Sequence, residues 1–186
     1  MVWERLKFGS IFLFAPLGAV RQADIIPWDY DVDFGIYRPD YSRCRPLRQA
    51  WNNGAYEDEE GFVWERAREA AFFRVQYSRS NRLHVDIFPF YLDEKRGVMT
   101  KDFWFDTHRQ DVEFPEKYLK PTVRIPFVGA DMAAPNNAKE FLELKFGKGV
   151  VENPRYPKGA APLIGEAVAD GVEVTRSRER PLLHGN

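Results

Sequence analysis

Residues 28–37 read WDYDVDFGIY, an alternation of acidic and apolar side chains. In an extended chain, successive side chains point to opposite faces. A strand over Trp28–Tyr37 therefore carries Asp29, Asp31 and Asp33 on one face, and Trp28, Tyr30, Val32 and Phe34 on the other. The apolar face asks for a core. The acidic face asks for a cation, because three crowded carboxylates repel one another strongly. Hard divalent ions such as Mg²⁺ or Mn²⁺ prefer oxygen ligands, so a metal site is the economical explanation. A solvated acidic face on an edge strand is the plain alternative. A calcium-binding EF-hand loop opens similarly, but Phe34 and Asp40 stand where that loop requires Gly and Glu.

Working outward, Asp86 lies in the apolar run LHVDIFPF, residues 83–90. An acid in such a run needs a partner or a metal. Two readings stay open. Asp86 joins Asp31 and Asp33 from a neighbouring strand, or it pairs with an arginine such as Arg74. Upstream stand Gly9-Ser10 and then Leu17-Gly18-Ala19 with Arg21. A Gly-Ser pair opening a helix can offer N–H groups and a hydroxyl to phosphate. Arg74, Arg79 and Lys145 are further candidates for phosphate contact, and nothing in the sequence ranks them. His84, His108 and His184 lack zinc-ligand spacing.

The surrounding elements alternate between classes. A short helix is expected within Asp40–Trp51, then an acidic loop over Asn52–Gly61. Strands are expected at Phe62–Glu65, Phe72–Ser78, Leu83–Phe90 and Thr122–Phe127. The helix over Asn137–Phe146 has Asn136 as candidate N-cap and Gly147 as its stop. Its apolar face is expected to combine Phe141, Leu142, Leu144 and Phe146. These elements predict an α+β (mixed α/β) domain over residues 1–156, a mixed sheet flanked by helices. The Pro-, Gly- and charge-rich residues 157–186 read as a disordered tail.

Composition narrows the function. The 186 residues carry a formal net charge of -1, which leaves no basic footprint for nucleic acid. The single cysteine, Cys44, excludes an intrachain disulfide and a cysteine-built zinc site. Residues 1–20 loosely imitate a secretory leader, yet their apolar run is too short to span a bilayer and is interrupted by Gly9, Pro16 and Gly18.

Gly-Ser, an Asp-x-Asp strand and a later strand acid together resemble the nucleotidyltransferase superfamily. Within it, LGAVRQADIIPWDYDVDFGIY is similar to the LicD/fukutin family. GFVWERA, FFRVQYSRSN, LHVDIFPFY, GVMTKDFW, HRQDVEFPE and APNNAKEFLELKFGKGVVENPRYP extend the likeness, from Val2 to Pro157, to the catalytic region of its fukutin-related members. The resemblance implies a nucleotidyltransferase-like fold and transfer of ribitol 5-phosphate from CDP-ribitol to the O-mannosyl glycan of α-dystroglycan. It implies Asp31, Asp33 and Asp86 as catalytic metal ligands for Mg²⁺ or Mn²⁺, with Asp86 a candidate general base. Gly9, Ser10, Arg21 and Asp29 fall on the donor-binding side. The family setting implies the Golgi lumen, a glycoprotein glycan as acceptor, and assembly with itself or a family partner. A catalytically inactive binding module and a LicD-type phosphocholine transferase are the alternatives.

Two departures from the family pattern matter. Its membrane anchor, stem and zinc-binding cysteine cluster have no counterpart here, so the chain reads as an N-terminally truncated catalytic domain. In addition, Ile11–Pro16 (IFLFAP) separates Ser10 from Leu17 where the family runs straight on. Pro16 resists a helical extension, so the expectation is a foreign bulge that exposes apolar side chains and displaces Ser10.

Overall fold

A computed structural model describes residues 11–153, apart from residues 15, 28, 30, 68–70 and 105–109. Gly9, Ser10, Trp28, Tyr30 and the expected tail lie outside the described residues. The chain opens with β1 (Ile11–Leu13), α1 (Leu17–Gln22) and β2 (Val32–Tyr37). A 3₁₀ turn at Arg38–Arg43 leads into α2 (Arg45–Asn53). Then come β3 (Ala55–Glu57), β4 (Val63–Arg66), β5 (Phe73–Gln76) and β6 (His84–Asp93). Two short strands, β7 (Val98–Thr100) and β8 (Phe114–Pro115), precede a 3₁₀ turn at Glu116–Leu119. The hairpin β9 (Val123–Phe127) and β10 (Ala130–Ala134) and then α3 (Ala138–Phe146) complete the series.

The main sheet is ordered β1-β2-β6-β5-β4-β3, with β7 on β6 and β8 on β7. Only β2 and β6 run parallel; the other pairs are antiparallel. This mixed sheet with helices is the α+β fold that the sequence predicts. Strand pairing is possible only where a partner exists. β6 starts at His84 and pairs Val85 with Val32, so the strand expected from Trp28 begins at Val32 instead. The acidic loop also yields an edge strand, because Ala55–Glu57 pairs with Val63–Glu65.

Two apolar clusters contain the core. One joins Leu13, Phe34, Ile36, Leu47, Trp64, Phe73 and Ile87; the other joins Phe12, Phe14, Phe88, Phe90, Met99, Phe114 and Phe141. Alternation along β2 and β6 separates them: Phe34, Ile36 and Ile87 face one way, and Asp33, Gly35, Asp86 and Phe88 the other.

The segment Ile11–Pro16 corrects the expectation of an exposed bulge. Ile11–Leu13 pairs antiparallel with Phe34–Ile36, and Phe12, Leu13 and Phe14 are buried. Their large apolar areas draw them into the core, and β2 offers an open edge to pair with. Phe12 lies opposite Gly35, and its ring covers the glycine so closely that a Cβ there would come 2.1 Å from a ring carbon.

In α3 the sequence expectation needs two corrections. Asn137, not Asn136, is the N-cap; the Asn136 side chain instead donates to the Lys117 and Pro121 carbonyls at 2.7 Å. The buried face is Phe141, Leu142 and Lys145, while Leu144 is 45% exposed. Lys145 is four residues past Phe141 and three past Leu142, so it falls on the helix face between them. Gly147 ends the helix as expected, with φ 95.

Candidate active site: an acidic row across the sheet

Parallel pairing sets Asp33 in register with Asp86, and antiparallel pairing sets Asp86 in register with Arg74. Register partners share a face, so Asp33, Asp86 and Arg74 form one row across β2, β6 and β5. Glu65 on β4 extends it, in register with Arg74. Of the Asp-x-Asp run, Asp33 thus meets the later strand acid on one face.

Part of each sequence reading of Asp86 is present. It lies beside Asp33, and it also pairs with Arg74. The guanidinium donates from Nε to Oδ1 and from Nη2 to Oδ2, each at 2.8 Å. This fork holds a buried carboxylate rigidly. The bond to Asp86 is also the main reason the Arg74 guanidinium is raised above its ordinary pKa.

Asp33 is half-buried at the start of β2. Its carboxyl is pushed up to about 7, first by loss of hydration, then by the charges of Asp31 and Asp86. Lys145 opposes that rise and Asp29 adds to it. Asp31 and Asp29 precede the strand. With Asp33, Leu13, Gly18 and Ile25 they line a cleft against α1. Gly18 lets the chain approach closely there, since a Cβ would come 2.3 Å from the Asp24 carbonyl oxygen.

Arg21, expected on the donor side, donates from Nε to the Val151 carbonyl at 3.0 Å and from Nη2 to the Val150 carbonyl. It ties the segment after α3 to α1. Arg79 is 76% exposed and pairs with Glu57 at 2.5 Å. Lys145 is different. It is 5% exposed, its ammonium has no hydrogen-bond partner among the described residues, and it sits 3.5 Å from the Phe14 ring centroid. Burial lowers its pKa to about 7. A second buried lysine, Lys101, pairs with Asp111 at 2.8 Å.

The carboxylates offer what a hard divalent cation takes: oxygen-only ligands, partly dehydrated. A finished cage is not in place, because Arg74 occupies both Asp86 oxygens. Among the described residues, no three acidic, His or Cys side chains gather closely enough to hold a metal in this arrangement.

Comparison with known proteins follows the same lines. A family model described as LicD/FKTN/FKRP, nucleotidyltransferase domain, matches residues 14–137. Two similar relatives are named ribitol 5-phosphate transferase FKRP, one from Homo sapiens and one from Mus musculus. Each is 62% identical over 144 residues, covering 77% of this chain and 28% of the relative. The chain thus spans just over a quarter of the length of these relatives. The matched stretch contains Asp29, Asp31, Asp33, Arg74 and Asp86, and the chain belongs to the LicD/FKTN/FKRP family through its nucleotidyltransferase domain.

Proposed function

We propose that this domain transfers ribitol 5-phosphate from a CDP-linked donor to a glycan hydroxyl, with a divalent cation held by Asp31, Asp33 and Asp86. The observation that carries the reading is the register that sets Asp33 beside Asp86. The name of the two relatives supports the choice of ribitol 5-phosphate.

Bound Mg²⁺ or Mn²⁺ would offset charge on the donor diphosphate and on the departing CMP. Asp31 and Asp33 would hold the cation, which would relieve the repulsion between their carboxylates. Asp86 would complete the oxygen ligands, and its fork with Arg74 fixes the orientation of the carboxylate. The cleft wall of Leu13, Gly18 and Ile25 holds the donor and excludes water beside the acids. The acceptor in this reading is an O-mannosyl glycan of the α-dystroglycan kind, met in the Golgi lumen.

One observation favours a second reading. The Arg74 fork occupies the third candidate ligand, as it would in an inactive binding module. Incubating the chain with Mn²⁺ and either CDP-ribitol or CDP-choline, while following CMP release, separates the cases. CMP from CDP-ribitol alone is the expected result. Release from CDP-choline alone moves the assignment to phosphocholine transfer. Mn²⁺ binding without release from either donor favours the binding module.

A further inference from the structure

We propose that the Lys145 ammonium is a phosphate ligand, binding the diphosphate of the nucleotide donor beside the acidic row. This deepens the function proposed above and rests on it. Lys145 lies beyond the residues matched by the family model.

Three buried or half-buried cations surround the acids, and two have carboxylate partners. Arg74 holds Asp86, and Lys101 holds Asp111. The Lys145 ammonium is as buried as the Lys101–Asp111 pair and more buried than Arg74, and it has no hydrogen-bond partner among the described residues. An ammonium without hydrogen bonds is expensive to bury. The Phe14 ring, 3.5 Å away, supplies a cation–π contact that offsets only part of that cost.

Its position explains what would complete it. The Phe14 backbone N–H donates to the Asp33 carbonyl at 2.9 Å, so the ring under Lys145 is anchored beside Asp33. Of the carboxylates around it, Asp111 acts on the ammonium more strongly than Asp33 does. Arg21 anchors the segment after α3 to α1, the helix that walls the acidic cleft. A donor diphosphate held beside Asp31 and Asp33 would bring anionic oxygens to this side of the row, and an ammonium offers them three donors. A phosphate ligand differs from a distant counter-charge for Asp33 in one respect: it adds affinity for the nucleotide, not only for the fold.

Titration of the full chain with Mn²⁺, and then with CDP in saturating Mn²⁺, tests this. Wild type should bind Mn²⁺, and Asp33→Asn should not; failure here sinks the metal-site reading itself. With that established, Lys145→Met should bind Mn²⁺ at least as tightly as wild type, because a nearby positive charge is gone. It should lose at least tenfold in CDP affinity, and Lys145→Arg should recover most of it. CDP affinity unchanged in Lys145→Met overturns the proposal. If Lys145→Met does not fold, acylation of lysines in the wild-type chain decides, read by peptide mass spectrometry. Mn²⁺ with CDP should slow modification of Lys145 at least fivefold, and unchanged modification overturns the proposal.

Discussion

At the scale of single residues, Asp33 and Lys145 set how the fold answers to pH. Folding raises the Asp33 carboxyl from an ordinary value near 4 to about 7. The unfolded chain therefore loses this proton first as pH rises. Metal-free stability should fall between about pH 4 and pH 7. Lys145 moves the other way, from 10.5 down to about 7, so the unfolded chain holds its proton longer. Stability should then recover between about pH 7 and pH 10. The expected curve has its minimum near pH 7, with each arm of the order of a few kcal/mol. Asp33→Asn should flatten the acidic arm and leave the metal-free chain more stable at pH 7. Urea melts across pH measure this, and a mutant that keeps the wild-type acidic arm would assign that arm elsewhere.

Among the elements, β1 is the informative one. Its Phe12 replaces the side chain that Gly35 lacks, covering bare backbone on β2. Gly35→Ala should cost roughly 1–3 kcal/mol through overpacking, since buried Phe12 has little room to move. Phe12→Ala should cost roughly 3–5 kcal/mol by leaving a cavity. The double substitution should cost clearly less than the two together, because the new methyl enters the vacated space. Strict additivity in chemical melts would show that Phe12 does not cover Gly35 in solution.

For the described domain as a whole, the cluster that contains Phe14, Phe88 and Phe90 also contains Phe141 of α3. Phe141 is fully buried, 5.0 Å from Phe114 and 5.4 Å from Tyr118 between ring centroids. The helix is therefore part of the core that supports the acidic row, not an appendage to it. Phe141→Ala should cost roughly 3–5 kcal/mol and lower the melting of the sheet and helix together. A melt unchanged by the substitution, or one split into two transitions, would make α3 peripheral.

The sequence by itself determined the alternation that separates Asp33 from Phe34 and the Gly147 stop. These are local matters of pleat and turn chemistry, carried by neighbouring residues. The family could also be read there, because its motifs are contiguous. Only the tertiary structure decided where β2 begins, since that depends on how far β6 reaches alongside it. Only the tertiary structure turned IFLFAP from an expected bulge into a buried strand, because burial requires a free sheet edge that no local pattern announces. It also set Lys145 apart from Arg74 and Arg79, whose guanidinium groups already hold carboxylates. Hydrophobicity placed lysine outside, while the 3.6-residue period placed it between Phe141 and Leu142, and packing resolved the conflict in favour of the period.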